Sequence, residues 1–332
     1  MILTEVSELT EAVAAEARRG LLCERKSLAP WLFYDEAGSR LFEEITALPE
    51  YYLTRAEREI FAARAEDIFE MLGTDLTIVE LGAGTAAKTG ILLRALARRQ
   101  ARVLYQPIDI SPSPLEEARE SIECSIRGVV VRPRIANYVT ESICMERPRG
   151  AKILALYIGS SIGNFSPTEA REILMRLRSE LEAGDALLLG TDLAPSGLGD
   201  GAGKSVEVLL AAYDDADGVT AAFNRNILAR LNRELGADFC PERFAHRAVW
   251  NVAESRIEMH LESLARQRVS IPTGAGGAEI VEFEAGETIH TENSYKFTRA
   301  AIDRLLADSG FAATREFSDA RELFAVTLAG VV

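Results

Sequence analysis

The sequence is poor in the residues that build metal centres and disulfide frameworks. It holds four cysteines and three histidines in 332 residues, and no two cysteines form a C-x-x-C pair. Without that pair or an H-E-x-x-H motif, we expect no structural zinc site and no other metal cofactor. The four cysteines are expected to be reduced thiols, mostly packed in the interior, because free cysteine is often buried.

Long apolar runs are also missing. No stretch approaches the roughly 20 residues that a membrane-spanning helix needs. The first residues, MILTEVSELTEAVAAEARRG, carry acidic side chains throughout and lack the continuous apolar region of a secretory signal. These absences predict a cytoplasmic protein with no membrane partner.

The sequence also has fewer basic than acidic residues. Lys and Arg number 37 against 51 Asp and Glu, which gives a formal net charge of −14. A field of that sign repels phosphate backbones, so no nucleic-acid partner is expected. The hydrophobic fraction of 48% is ordinary for a globular protein, and the length is comfortable for two domains.

The middle third of the chain alternates between strand and helix patterns. Short apolar runs typical of buried parallel strands occupy residues 77–81, 103–110, 129–131, 153–158 and 186–192. Capping boxes at Ser113–Glu116 and Ser166–Glu169, each with proline at the second position, mark helix starts between them. This alternation predicts an α/β fold with a doubly wound parallel sheet. An antiparallel hairpin of residues 313–317 and 323–328 is expected at its edge.

Two other regions do not follow the alternation. Residues 1–60 look mainly helical, and residues 199–297 hold a glycine-rich opening, a helix ending near Gly236 and several short strands. We therefore predict a discontinuous second domain of α+β type, formed by 1–60 and 199–297. The sheet domain would then comprise 61–198 and 298–332.

A glycine turn lies where the first strand gives way to a helix. In Glu80-Leu81-Gly82-Ala83-Gly84-Thr85 the glycines allow a ligand to approach the backbone at the first βα turn. Glu80 ends this strand and Asp109 ends the next, and both carboxylates are placed to meet hydroxyl or ammonium groups. S-adenosylmethionine carries a cation and no phosphate, so carboxylates suit it. The motif alone leaves three readings open: a methyltransferase, a dinucleotide enzyme and a purely structural turn.

Longer motifs are more specific than this turn. The sequence resembles the histidine-specific Nα-methyltransferases of ergothioneine biosynthesis along nearly its whole length. The motifs that carry the resemblance are FYDEAGSRLFEEI at 33–45, PEYYLTR at 49–55, YIGSSIGNF at 157–165, AYDDA at 212–216, FNRN at 223–226 and TENSYKF at 291–297. The resemblance implies a class I, Rossmann-like S-adenosylmethionine-dependent methyltransferase sheet with a substrate-binding domain. It also implies trimethylation of free L-histidine to its betaine, hercynine.

The resemblance assigns residues to the cofactor. Gly82 and Lys88 belong to the cofactor loop, Asp109 matches the ribose-binding acid, and Asn137 with Tyr138 matches the pair beside the adenine. The family usually has Asp at position 137, so the contact with the adenine amino group is expected to differ here.

Further matches concern the amino-acid substrate. Positions that hold its backbone correspond to Tyr51, Gly159, Asn164 and Tyr213, and the lining of its pocket corresponds to Tyr34, Met259, Glu292 and Ser294. The family's imidazole readers match Glu292 and Ser294. Because they lie two residues apart in a predicted strand, both side chains share one face, and together they can bond both ring nitrogens. His290 shares that face, although an ordinary capped or solvated histidine is the simpler interpretation.

Methyl transfer from a sulfonium requires a neutral amine, correctly oriented, and no dedicated protein nucleophile. Two other enzyme functions remain as alternatives: an Nα-methyltransferase for another aromatic amine, such as a tryptophan derivative, and a dinucleotide-dependent oxidoreductase. A non-catalytic binding protein on the same scaffold is a third. We expect a monomer whose partner is a small molecule.

Overall fold

The computed structural model describes residues 2–195, 203–273 and 277–332, with side chains from residue 10 onward. Its contacts divide the chain into two units: unit 1 comprises Met1–Tyr51 and Val206–Ser294, and unit 2 comprises Tyr52–Ser205 and Tyr295–Val332. The sequence placed the first junction after residue 60, which falls inside an unbroken helix. The structure places the junctions after residues 51, 205 and 294 instead of 60, 198 and 297.

The helices and strands follow one another along the described chain. The α-helices are α1 Ile2–Leu21, α2 Glu36–Ala47, α3 Tyr52–Leu72, α4 Thr89–Ala97, α5 Pro112–Ser125, α6 Pro167–Ser179, α7 Val206–Ala211, α8 Val219–Leu235 and α9 Arg299–Asp308. The strands are β1 Leu76–Leu81, β2 Val103–Asp109, β3 Val129–Val131, β4 Arg134–Ile135, β5 Lys152–Tyr157, β6 Ala186–Asp192, β7 Phe244–Asn251, β8 Arg256–Ser263, β9 Gln267–Pro272, β10 Ala278–Phe283, β11 Thr288–Tyr295, β12 Phe311–Ser318 and β13 Phe324–Val331.

An eight-stranded sheet forms the centre of unit 2. Its order is β12-β13-β6-β5-β1-β2-β3, with β4 paired to β2. The strands β1, β2, β3, β5 and β6 run parallel, whereas β13 is antiparallel to β6 and β12 to β13. The chain moves outward from β1 to β2 and β3, then returns to place β5 on the other side of β1. In such sheets ligands bind at this switch point, beyond the carboxyl ends of the strands.

The burial pattern explains why the apolar runs became central strands. All six residues of β1 and all seven of β6 are buried, as expected for strands covered on both faces. One face of the sheet packs against the apolar stripe of α6, which includes Ile173, Leu174 and Leu177. The predicted α/β class, the five parallel strands and the edge hairpin are confirmed.

Helix starts were predicted with mixed success. Ser166 caps α6 in a reciprocal capping box with Glu169, as the sequence indicated. The capping box predicted at Ser113–Glu116 is wrong. Helix α5 begins earlier, at Pro112, and its N-cap Ser111 makes no side-chain bond to the helix. Proline fits the first turn of a helix at either Pro112 or Pro114, so that signal could not separate the two starts.

Unit 1 combines helices with two small antiparallel sheets. One sheet has the order β11-β8-β7 and the other pairs β10 with β9. From the sequence, four short strands are predicted here, at residues 257–262, 266–271, 280–283 and 288–297, and all four are present as β8 to β11. The predicted end of α8 at Gly236 is also confirmed, and Gly236 has the left-handed φ of +71° that glycine adopts easily. The sequence analysis missed β7, whose mixed sequence FAHRAVWN alternates weakly in burial.

The environment of the cysteines differs from the prediction. All four cysteines are free, but Cys23, Cys124, Cys144 and Cys240 are exposed, so the prediction of packed thiols is wrong. Most of the glycine-rich opening near residue 199 lies outside the described residues. The same holds for residues 274–276 of the glycine-rich segment 273–277, which the sequence predicts to be a flexible loop. Among the described helices, none has the length and apolar character required to cross a membrane.

Candidate active site

The loop after β1 is built around two glycines. Gly82 and Gly84 have φ values of +66° and +52°, a backbone region that residues with a side chain rarely adopt. The Gly82 amide donates to the carbonyl of Ile108 at 2.8 Å, which ties the loop to the end of β2. The loop therefore presents bare backbone at the switch point, where a ligand can come close.

Asp109 closes this loop from the neighbouring strand. Its carboxylate accepts from the backbone N–H groups of Gly84 and Ser111, each at 3.0 Å. Burial raises the pKa of Asp109, while these backbone donors partly offset the rise. A carboxylate held in this way is a suitable acceptor for the hydroxyl groups of a nucleoside.

Glu80 is placed differently from the sequence prediction. Its side chain is buried in unit 2, where Thr89 Oγ1 donates to both carboxylate oxygens at 2.9 and 2.7 Å and the Tyr105 hydroxyl also donates. Burial raises the pKa of Glu80 to about 7, against the opposing effect of these donors. Its acceptors thus serve the protein interior, and Glu80 holds the start of α4 against the sheet.

Asn137 and Tyr138 follow β4. Asn137 Oδ1 accepts from the Val139 amide at 3.1 Å, so this oxygen already has a local donor. The Tyr138 hydroxyl would lie 3.4 Å from a Cβ at Gly82, which brings it beside the glycine loop. Tyr138 also meets the buried Tyr157 edge to face, with ring centroids 5.7 Å apart.

A carboxylate that the sequence analysis missed lies between two predicted site residues. Glu57 of α3 is fully buried, and its carboxylate accepts from the Gly159 amide at 2.8 Å and from Lys88 Nζ. A signal was available, because Glu57 interrupts the apolar stripe that Leu53, Ile60 and their neighbours form on one face of α3.

The segment after β5 turns sharply. Gly159 and Ser160 both have left-handed φ values, +76° and +60°, and Ser160 pays a steric cost for this that glycine avoids. Ser160 Oγ accepts from the Asp192 amide at 2.9 Å, and its carbonyl accepts from the Gly163 amide at 2.9 Å. The turn leads to a short 3₁₀ helix that ends at Asn164, the predicted amine-binding residue.

The side chain of Asp192 joins three basic or hydroxyl groups deep in unit 2. Lys204 Nζ lies 2.8 Å from Oδ1, Lys296 Nζ lies 2.9 Å from Oδ2, and the Tyr52 hydroxyl donates at 2.8 Å. Burial alone would raise the pKa of Asp192, but the two lysine charges hold it below its usual value. Tyr52, Lys204 and Lys296 each lie within two residues of a junction between the units. One carboxylate of unit 2 thus contacts a residue near each of the three junctions along the chain.

Six of the eight predicted substrate residues belong to unit 1, and three of them are tyrosines in a row of rings. Tyr34 meets Phe42 edge to face at 5.9 Å, Phe42 meets Tyr51 at 6.3 Å, and Tyr51 meets Tyr213 at 6.4 Å. The Tyr213 hydroxyl lies 2.8 Å from Ser294 Oγ. Phe42, which the sequence analysis did not select, therefore links the first two tyrosines of the set.

Glu292 and Ser294 are both buried in β11, with 8% and 4% exposure. These two polar side chains therefore do not face the solvent. The neighbouring Thr291 hydroxyl lies 3.0 Å from the Met259 carbonyl, so β11 brings three of the predicted pocket residues to one part of unit 1.

The buried His246 is hydrogen bonded to the backbone of Tyr213. His246 Nε2 lies 2.8 Å from the Tyr213 carbonyl, which can only accept, so Nε2 carries the proton. Nδ1 then accepts from Asn224 Nδ2 at 2.8 Å, and Asn224 Oδ1 accepts from Thr291. Burial lowers the pKa of His246, partly opposed by the Tyr213 carbonyl, which favours the neutral ring that this network requires.

His290 has ordinary protein partners. Its Nε2 lies 2.9 Å from Asn293 Oδ1, and its ring contacts His260 edge to face at 5.2 Å. Burial lowers its pKa, and the neighbouring His260 lowers it further. Among the described residues, no group of three or more His, Cys, Asp and Glu side chains could hold a metal ion.

The sheet of unit 2 has the strand order of class I methyltransferases, with a glycine loop after β1 and an acid after β2. A family model described as histidine-specific methyltransferase, SAM-dependent, matches residues 13–331. The chain belongs to this family, and it is an S-adenosylmethionine-dependent N-methyltransferase.

Curated relatives agree with this family. A histidine N-alpha-methyltransferase of Mycobacterium tuberculosis is 42% identical over 319 residues, covering 96% of this chain and 94% of that protein. Its counterpart in Mycolicibacterium smegmatis is 40% identical, covering 96% and 95%. Ergothioneine biosynthesis protein 1 of Schizosaccharomyces pombe is 30% identical over 281 residues, covering 82% of this chain and 34% of that protein.

Proposed function

We propose that this protein methylates the α-amino nitrogen of free L-histidine three times and yields hercynine, the first step of ergothioneine biosynthesis. The observation that carries the substrate is the buried carboxylate–hydroxyl pair Glu292 and Ser294 on β11, in a chain of the histidine-specific family. A buried pair of this kind selects ligands that satisfy it and rejects analogues that leave it unbonded.

The residues of unit 2 suit the nucleoside part of S-adenosylmethionine. Gly82 and Gly84 offer a backbone cradle with positive φ, and Tyr138 lies beside Gly82. Asp109 would accept ribose hydroxyls, Tyr138 with Asn137 would border the adenine, and Lys88 would pair with the carboxylate of the methionine portion. When bound, S-adenosylmethionine supplies an electrophilic methyl group on a sulfonium.

The protein's own contribution to the reaction is orientation. An α-amine titrates near pH 8, so a neutral fraction is present under ordinary conditions. The Gly159 carbonyl and Asn164 accept hydrogen bonds from the amine N–H groups and direct the nitrogen lone pair towards the methyl group. The protons that the amine loses between transfers pass to solvent. Tyr51 and Tyr213 hold the amino-acid backbone, and Tyr34 with Tyr51 offers ring faces that attract the quaternary ammonium product.

The imidazole is read by Glu292 and Ser294, with Met259 as apolar lining. The carboxylate accepts from one ring N–H and the hydroxyl bonds the other nitrogen. An indole has one ring N–H and no second ring nitrogen, so a tryptophan derivative makes one hydrogen bond fewer with this pair than an imidazole does. For this reason we favour histidine over other aromatic amines.

The experiment uses the purified full-length protein with S-adenosylmethionine and one candidate amine at a time. We expect S-adenosylhomocysteine release with histidine, and mass spectrometry should show the mono-, di- and trimethylated products. Tryptophan, tyrosine and histamine serve as competing acceptors. Rapid methylation of one of these without turnover of histidine would overturn the proposal. Thermal stabilisation by NAD and not by S-adenosylhomocysteine would favour an oxidoreductase instead.

A further inference from the structure

Glu57 is a buried charge that the proposed mechanism does not use. Its side chain is fully buried, and a carboxylate in that position destabilises the fold unless it is paired and hydrogen bonded. Its described partners are Lys88, at the start of α4, and the backbone N–H of Gly159, after β5. Glu57 thus contacts one residue assigned to the cofactor and one assigned to the amine.

The Glu57 carboxylate is closely packed against its neighbours. A Cβ at Gly190, in the middle of β6, would overlap Glu57 Oε1. A Cβ at Gly159 would lie 3.0 Å from Lys88 Nζ, which is tighter than ordinary van der Waals contact. The carboxylate, the ammonium and the turn at Gly159 therefore define one another's positions.

We propose that Glu57 is a positioning residue that fixes Lys88 for the cofactor and the Gly159 peptide for the amine. The assignment rests on the proposed function for the roles of these two partners. The ion pair holds the flexible lysine stem in one conformation before the ligand arrives, which reduces the ordering cost of binding. The bond to the Gly159 amide stabilises a turn in which two consecutive residues have left-handed φ values.

Two substitutions separate these effects. Glu57→Gln keeps an oxygen that accepts from Gly159 but removes the charge that pairs with Lys88. Glu57→Asp keeps the charge, which the mobile lysine can follow, but withdraws the oxygens from the fixed Gly159 amide. Glu70→Gln, an exposed change on the same helix, is the control.

The readouts are the Kd for S-adenosylhomocysteine by calorimetry, and kcat and KM for histidine. Loss of a hydrogen bond to a charged group predicts that Glu57→Gln weakens S-adenosylhomocysteine binding by about tenfold or more. Glu57→Asp should retain that affinity better and lose more kcat with histidine. A merely structural role would move both readouts together in both variants, so that pattern would overturn the proposal, as would Glu57→Gln with wild-type values.

A variant that folds poorly is detected by its melting temperature. In that case Lys88→Met provides a second test, since Glu57→Gln combined with it should cause no further loss of cofactor affinity. A further loss of full size would contradict the assignment. S-adenosylhomocysteine binding does not depend on the acceptor, so the lysine part of the proposal can hold even if histidine is not methylated. Conversely, wild-type turnover of histidine with unaffected Glu57 variants would refute this proposal alone.

Discussion

The hydroxyl groups of Tyr213 and Ser294 lie 2.8 Å apart in the interior of unit 1, although 81 residues separate them in sequence. Both side chains are buried, with 6% and 4% exposure. In the proposed function, Tyr213 holds the amino-acid backbone and Ser294 reads the ring. Their bond therefore connects recognition of the two ends of the substrate.

This bond predicts non-additive effects of two substitutions. Tyr213→Phe and Ser294→Ala should each raise the KM for histidine by about tenfold, because each breaks the same buried hydrogen bond. The double variant should show less than the product of the two effects, since interacting residues are not additive. The affinity for S-adenosylhomocysteine, measured in parallel, should not change. Fully additive changes in KM would show that the two hydroxyls act independently.

Glu292 is predicted to determine selectivity for the imidazole. Glu292→Gln preserves the shape of the side chain but replaces an acceptor with a donor, so the KM for histidine should rise by about tenfold or more. Glu282→Gln, an exposed change on β10, is the matched control. If steady-state kinetics gave Glu292→Gln and the control the same KM, Glu292 would not be the ring reader.

Glu80 predicts a pH dependence of stability. Its pKa is raised from 4.5 to about 7 in the folded protein, so folding favours the protonated form. The contribution of Glu80 to the free energy of unfolding is therefore fully present below pH 4.5. It is lost as the pH rises to 7, which lowers the free energy of unfolding by about 3 kcal/mol. Glu80→Gln should remove this decrease. Urea unfolding of both proteins at several pH values between 5 and 8 measures it, and parallel curves would contradict the raised pKa.

Asp192 is predicted to be the most sensitive carboxylate for stability. Asp192→Asn leaves Lys204 and Lys296 buried close together without their counter-charge, which should cost about 3–5 kcal/mol. This corresponds to a fall in melting temperature of roughly 10 °C, whereas the exposed change Asp303→Asn should have little effect. Calorimetry of the two variants compares them directly. Equal melting temperatures would mean that the lysines find other acceptors.

The sheet of unit 2 could be read from sequence because its signals are local. The run ALLLGTD at β6 is apolar over most of its length and bounded by turn residues, and the whole of it is buried in the structure. The glycines after β1 and the acid after β2 followed from the same strands. The β7 strand was missed because charged and apolar residues in it follow no clear period.

The supporting contacts of the candidate site could not be predicted, because they join residues far apart in the chain. Glu57 and Gly159 are separated by 102 positions, and Tyr52 and Asp192 by 140. Spacing along the chain carries no information about such pairs. The bonds that Glu80 accepts from Thr89 and Tyr105 were not predicted either, because its place at the end of β1 suggested only a ligand contact.

The absence of a side chain at Gly190 constrains how this chain can vary. Because a Cβ there would enter the space of the Glu57 carboxylate, no side chain can be added at position 190 while that carboxylate keeps its place. A larger residue at 190 requires a shorter helix residue opposite it and a shift of the neighbouring backbone, because its Cβ would also lie 3.1 Å from Ile158 Cα and 3.3 Å from the Gly159 nitrogen. Protein designers who wish to diversify this sheet should therefore treat the two positions as a single choice.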